Sequence, residues 1–130
     1  MQFQIATSSR VPIYQQLVQQ VRAGVARGEL AEDERLPSVR QLSRDLVINP
    51  NTVARAYTEL ERDGVLHTRP GLGVFVAPVR NDLTKDARKR RLVELLDSFL
   101  TEAVHLGFSR EEVQKLLADR AGRFQWTSPA

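Results

Sequence analysis

Three polar side chains, Asn51, Thr52 and Arg55, stand near the start of a segment whose apolar residues recur at helical spacing. The apolar residues share one helical face, which consists of Val53, Ala56, Tyr57 and Leu60. The three polar side chains therefore project away from that face. On duplex DNA, Asn binds adenine bidentately, Arg binds guanine, and the Thr methyl group meets the thymine methyl group. These residue types at this spacing predict the reading of base edges.

Further polar and basic residues precede this helix. We expect a short helix to begin near Ser38, a good N-cap residue, and to expose Arg40 and Arg44. Ser38, Arg40 and Arg44 are candidate DNA contacts, and the alternative for the two arginines is solvated surface charge. Asn49 and Thr52 are also candidate contacts, and their alternative role is to cap the second helix.

A hairpin signal follows the second helix, which we expect to end at Asp63-Gly64. Two short apolar runs, 65–68 and 73–76, flank a turn that contains Gly71. Gly71 and Gly73 allow the backbone to approach a phosphate or the minor groove, or they only form the turn. Arg69 is a candidate phosphate or minor-groove contact. Helix, turn, helix and hairpin in this order predict a winged helix-turn-helix, which reads duplex DNA.

The segments before this module should support it. Residues 1–9 form an arm in which Phe3 and Ile5 make a short strand or a packing anchor. A first long helix should begin at Pro12 and stop near Gly28. Its apolar stripe consists of Ile13, Tyr14, Leu17, Val18, Val21 and Val25.

The region after the hairpin predicts two more helices. We expect Pro78 to Asp82 to form a linker and residues 83–106 to form an amphipathic helix. A last helix should start at a capping box of Ser109 with Glu112 and end near Gly122. Two helices are too few to hold their own core, so their apolar face must pack on the first domain or on another copy. The predicted dimer interface consists of Leu92, Leu95, Leu96, Phe99, Leu100 and Leu106.

Composition excludes several classes of protein. The chain has 130 residues, 19 basic and 16 acidic, with a net charge of +3 and no cysteine. No disulfide or thiolate metal site can form, and no apolar run approaches the ~20 residues of a membrane span. The N-terminus lacks a signal-peptide layout, so we expect a cytoplasmic protein. His67 and His105 lack a third clustered ligand, and no catalytic motif is present, so we expect no metal, no cofactor and no enzyme.

Two basic features of the sequence each have two interpretations. Residues 1–80 contain ten Arg and no Lys, which suits phosphate and guanine binding but also follows from a GC-rich genome. The run Arg88 to Arg91 stands at the start of a predicted helix, where it opposes the helix dipole. The run is either a solvated helical face or a supplementary phosphate contact.

The sequence resembles the GntR family of bacterial transcription regulators over about residues 10–78. The similarity is carried by PIYQQLVQQVRAGVARGEL, LPSVRQLSRDLVINPNTVARAYTELERDG and TRPGLGVFV. The resemblance implies DNA contacts at Arg40, Asn51, Thr52, Arg55 and Gly71. Pro50 departs from the pattern, since other branches often have Arg there. The short region after the wing resembles the YtrA-like branch, which implies helices for dimerisation and genes that accompany transporter operons.

Together these features predict a mainly α protein with one small β-hairpin. Its winged helix-turn-helix would occupy residues 1–78, and a two-helix dimerisation and effector region residues 79–130. The expected function is a homodimeric repressor of a palindromic double-stranded DNA operator. Rival hypotheses are an architectural or replication DNA-binding protein and a protein-interaction module. A small-molecule effector of unknown identity would bind between subunits or between the two regions, since two helices leave little room for a pocket of ~300 Å³. Its candidate lining residues are Phe99, Phe108, Phe124 and Trp126.

Overall fold

The computed structural model describes residues 1–78 and 84–126. The described residues form two compact units, one of residues 1–78 with 125–126 and the other of residues 84–124. Apart from Pro78, the predicted linker lies outside the described residues. No helix in the described ranges is long and apolar enough to cross a membrane.

The first unit contains three helices and one hairpin in the predicted order. These are α1 (Ile13–Ala26), α2 (Val39–Leu46), α3 (Pro50–Arg62), β1 (Leu66–Arg69) and β2 (Gly73–Val76). The two strands pair antiparallel, with Leu66 opposite Val76 and Arg69 opposite Gly73. The winged helix-turn-helix that the sequence predicts is therefore confirmed.

The core of the first unit lies between α1 and α3 and extends to α2 and the hairpin. The side chains that are almost completely buried are Leu17, Val21, Val53, Leu60, Leu66 and Val76. Phe3 and Ile5 are half-buried against this core, so the arm is a packing anchor and contains no strand. The predicted apolar faces of α1 and α3 are thus the faces that form the core.

Local hydrogen bonds explain where α2 and α3 begin. The Ser38 hydroxyl accepts from the N–H of Gln41 at 3.0 Å and caps α2. The Asn49 side chain accepts from the N–H of Asn51 at 2.8 Å and caps α3, with Pro50 in its first turn. Between the helices, Val47 ends α2 in the left-handed conformation, with φ 54°. This turn fixes the second helix relative to the first.

Two long-range contacts tie flanking segments to the first unit. The side chain of Gln16 is buried, accepts from the N–H of Ala6 at 2.9 Å, and donates to the carbonyls of Ala6 and Val11. Next to the hairpin, the N–H of Leu36 donates to the carbonyl of Val74 at 2.8 Å, and the N–H of Asp33 donates to that of Val76 at 2.9 Å. The arm and residues 33–36 are therefore held by hydrogen bonds as well as by apolar contacts.

The second unit consists of α4 (Lys85–His105) and α5 (Arg110–Ala121). The Thr84 side chain caps α4, and the predicted capping box of Ser109 and Glu112 caps α5. Ala103 is the buried residue of α4, and in the described part of the chain every residue of α5 is exposed or half-buried. The unit therefore leaves most of its apolar side chains in contact with solvent.

Candidate DNA-binding surface

The outer face of α3 presents polar groups next to its N-terminus. Asn51 and Arg55 are exposed and Thr52 is half-buried, on the side opposite the buried face of the helix. Of the two residues considered as caps, Asn49 is the N-cap and Thr52 lies inside the helix. The oxygen of Asn49 is engaged in the cap, which leaves its amide NH₂ for an outside partner.

Arg55 is held by an aromatic ring of α1. Its guanidinium carbon lies 3.8 Å from the centre of the Tyr14 ring. A guanidinium that stacks with its face on a ring keeps its N–H groups in the plane of the stack, directed to solvent. Tyr14 thus restricts the rotamers of Arg55 without using its donors. The sequence identifies Tyr14 only as part of the apolar stripe, since nothing local to it indicates this partner.

The exposed side of α2 forms a polar cleft of about 390 Å³. Its lining residues are Ser38, Arg40, Gln41, Arg44 and Asp45. Arg40 and Arg44 are one helical turn apart, and both are exposed. Arg40 lies in the first turn of α2 and Arg44 in its last turn, and both guanidinium groups border this cleft, where they can bind a phosphate.

A buried hydroxyl group fixes α3 against the start of α2. The Tyr57 O–H donates to the carbonyl of Pro37 at 2.6 Å, and the residue is 4% exposed. Burial of this phenol raises its pKa well above the ordinary value of 10. The hydrogen bond joins α3 directly to the residue before the cap of α2, so Tyr57 positions the polar faces of both helices.

The two glycines of the hairpin turn have different reasons to be glycine. Gly71 has φ 77°, and a Cβ built there would meet no atom within 4 Å. Gly73 has φ 128°, and a Cβ there would lie 2.9 Å from Nε of Arg35. Gly71 is therefore an exposed turn that a DNA backbone can approach, whereas at Gly73 the positive φ disfavours a side chain and a Cβ would also displace the exposed Arg35 side chain.

Arg69 makes contacts within the wing. Its guanidinium lies 2.7 Å from the carboxylate of Asp33 and 4.4 Å from the centre of the Phe75 ring. The predicted phosphate contact would therefore compete with an existing ion pair. His67, another hairpin residue, packs edge-on against Phe75, and its Nε2 lies 4.0 Å from Asp33. His67 is thus a residue of β1 whose neighbours are other residues of the first unit.

Two clefts in the second unit correct the expectation about pocket volume. One of about 350 Å³ is bordered by Leu100, Ala103 and Phe108, and another of about 550 Å³ by Phe108 and Leu116. The expectation that two helices leave little room for such a volume is wrong, because α4 and α5 both border the smaller cleft and Phe108 with α5 borders the larger one. The part of the chain that the structure describes contains no group of three side chains suited to a metal ion.

Comparisons with known proteins agree with this geometry. The family described as "Bacterial regulatory proteins, gntR family" matches residues 13–76. The chain is 31% identical over 116 residues to the HTH-type transcriptional repressor YtrA of Bacillus subtilis (strain 168), covering 89% of each protein. It is 36% identical over 105 residues to the HTH-type transcriptional regulator YhcF of that strain, covering 81% of this chain and 86% of YhcF.

Among solved structures, the chain is similar to a crystal structure described as a transcriptional antiterminator from Listeria monocytogenes EGD-e. The two are 33% identical with a TM-score of 0.78, and the match covers 100% of this chain and 98% of the other. The similarity therefore includes the region of α4 and α5 as well as the winged helix.

Proposed function

Because the chain belongs to the GntR family of bacterial regulatory proteins, a family of DNA-binding transcriptional regulators, we propose that it is a homodimeric repressor that binds a palindromic operator. The observation that carries the proposal is the polar face of α3, where Asn51, Thr52 and a ring-stacked Arg55 stand together near the helix start. In a helix-turn-helix this is the part of the second helix that meets base edges.

The proposed docking gives each part of the first unit a separate task. The start of α3 enters the major groove, where Arg55 binds a guanine and Asn51 an adenine. Arg40 and Arg44 bind backbone phosphates from α2, and the wing brings Gly71 close to the sugar–phosphate backbone. Ser38 and Asn49 contribute mainly as caps that fix the helix starts, with their remaining donors available to phosphates.

The apolar surface of the second unit supports a dimer. On α4 and at its C-cap, Leu106, the side chains of the predicted interface are between 37% and 70% exposed in one chain. Leu116 and Leu117 on α5 are 48% and 50% exposed. A patch of this kind on a monomer marks an interaction surface. A two-fold dimer through α4 and α5 would bury it and present two winged helices to two symmetric half-sites.

An effector site at the subunit boundary fits the same arrangement. The two clefts around Phe108 are open in one chain, and Leu100 belongs both to the smaller cleft and to the proposed interface. A second subunit on α4 would therefore border this cleft. The operator that the YtrA-like resemblance implies is one that controls a transporter operon.

The test is a footprint on the gene's own promoter and on neighbouring intergenic DNA, followed by affinity measurements. We expect binding at least ~10³-fold tighter than to random duplex DNA of the same length. Arg55→Ala should reduce the free energy of operator binding by about 1–3 kcal/mol and relax specificity at one base position. Arg40→Ala should weaken binding to all DNA sequences alike and make the affinity less dependent on salt.

Three outcomes would contradict the proposal. A specificity ratio near one would indicate an architectural protein. No binding to any duplex at low salt would indicate a protein-interaction module. If both variants bound the operator like the parent, the docking through α2 and α3 would be wrong.

A further inference from the structure

The positive charge of this protein is concentrated in the first two turns of α4. Residues 85–91 contain five cations, Lys85, Arg88, Lys89, Arg90 and Arg91, against the single carboxylate of Asp86, a net charge of +4. The whole chain carries +3, so all other residues together carry −1. The described part of the first unit, residues 1–78, has nine arginines against eight carboxylates, a net charge of +1.

The distribution of charge along α4 does not stabilise the helix. The rest of α4 contains three carboxylates, Glu94, Asp97 and Glu102, and no Lys or Arg. Cations are thus at the positive end of the helix dipole and anions toward its negative end, the reverse of the favourable order. Lys85 with Lys89 and Arg88 with Arg91 are also like-charge neighbours at helical spacing. Helix stability therefore does not account for this segment.

The cations of the segment are accessible. All five are exposed. Among the described residues, the ion pair involving this segment joins Arg91 to Glu94 at 3.7 Å, with both side chains more than two-thirds exposed. Arg88 to Arg91 are four consecutive residues, so their side chains point to all sides of the helix, and one apolar face cannot cover them all. They stay in solvent even if the apolar stripe from Leu92 onward is buried in a dimer.

We propose that this segment, residues 85–91, is a second DNA contact that binds backbone phosphates without reading sequence. The inference rests on the proposed function, because it assigns the segment to the same duplex as α2 and α3. Duplex DNA is the partner that a dense group of cations on all sides of a helix fits best, since phosphates are close together along both strands.

Chain length permits both contacts in one subunit. Eight residues separate Val76, the end of β2, from Lys85, the start of α4. Even fully extended, they span no more than about 30 Å. The start of the basic segment, Lys85, is therefore within reach of one turn of the DNA helix (~34 Å) from the end of β2.

The experiment measures how the full-length protein binds a random-sequence duplex of about 40 base pairs at salt concentrations from about 50 to 200 mM. One variant replaces Arg88, Lys89, Arg90 and Arg91 with Gln. We expect the slope of log affinity against log salt to become shallower by about 0.9 for each phosphate that the variant no longer neutralises. Affinity should fall at least tenfold at the lower salt, and the ratio of operator to random affinity should stay the same.

Two further variants control for charge and for folding. Replacing Arg88, Arg90 and Arg91 with Lys keeps the charge, and this variant should keep the slope of the parent. Replacing Arg110, Lys115, Arg120 and Arg123 with Gln removes the same charge from the region of α5 and should leave the slope nearly unchanged. Circular dichroism should show that the first variant keeps the helix content of the parent, since Gln has nearly the same helix propensity as Arg and Lys.

The outcomes separate this inference from the proposed function. An unchanged slope in the first variant would overturn the second contact while DNA binding by α2 and α3 stands. An equal decrease of slope and affinity in the α5 variant would also overturn the second contact, because the effect would then come from the total charge of the protein. If the parent protein bound no duplex at all, both proposals would be wrong.

Discussion

At the scale of single residues, Tyr14 shows how a residue of an apolar stripe can serve recognition. Its ring supports the Arg55 guanidinium at 3.8 Å, so in the proposed complex the donor groups of Arg55 would be oriented before DNA binds. Tyr14→Leu, which keeps an apolar side chain but removes the ring, should weaken operator binding by about 0.5–1 kcal/mol. Tyr14→Phe keeps the ring and should bind like the parent. Fluorescence anisotropy with the footprinted operator measures both, and equal binding by the Leu variant would remove Tyr14 from this role.

Tyr57 connects the ionisation of one buried group to the stability of the motif. Its pKa is raised by burial above the unfolded value of 10, so the folded state holds the proton more tightly than the unfolded chain. The contribution of this raised pKa to the free energy of unfolding is complete below pH ~10. It decreases as the pH rises further, by up to about 1.4 kcal/mol for each pH unit. Urea unfolding of the parent and of Tyr57→Phe between about pH 9 and 11 tests this. The Phe variant should lose less stability over that interval, and parallel curves would contradict the prediction.

The residue roles that the sequence predicts correctly are those with local causes. Ser38 and the pair of Ser109 and Glu112 are predicted as caps, and a cap depends on residues three positions apart. The ion pair of Arg69 with Asp33 has no such local signal, because 36 residues separate the two partners. For the same reason, the hydrogen bonds of Gln16 to the arm depend on a fold-back that no spacing indicates.

At the scale of elements, the turn between α2 and α3 stores backbone strain. Val47 has φ 54° and is 88% exposed, and a β-branched residue rarely adopts this conformation. Val47→Asn should raise the free energy of unfolding by about 1 kcal/mol, because Asn tolerates the left-handed region. Val47→Ala still has a Cβ in that conformation and serves as the control. Thermal melts of the three proteins should place the Asn variant highest, and an Asn variant no more stable than the Ala variant would contradict the strain.

The elements themselves follow from the sequence almost to the residue, because periodicity and helix-ending residues agree at each boundary. The first helix is predicted to start at Pro12 and starts at Ile13. The last helix is predicted to fade near Gly122, and this glycine is its C-cap. The position of residues 33–36 could not be predicted in this way. These residues pair with β2 through backbone hydrogen bonds, and nothing in an acidic turn sequence indicates such pairing.

At the scale of the whole molecule, the exposed apolar stripe and the DNA-reading surface together favour a two-fold assembly. In the proposed complex, a single winged helix would contact one half-site, and the dimer would link two such contacts into one binding event. Linking two sites can raise affinity by about 10²–10⁴ without any new contact to DNA. Loss of the dimer should therefore reduce operator affinity by a comparable factor while each winged helix stays folded.

Replacing Leu96 and Phe99 with Asp tests this arrangement. The two side chains are 37% and 46% exposed in one chain, and charges there would be buried without partners in the proposed interface. The matched control replaces Ser98 and Thr101 with Asp, which adds the same charge on the opposite side of α4. Light scattering should give about twice the chain mass of 14.7 kDa for the parent and the control, and a single chain for the Leu96 and Phe99 variant. A parent protein that is monomeric at micromolar concentration, yet binds the operator tightly, would mean that one subunit suffices and that the stripe serves another partner.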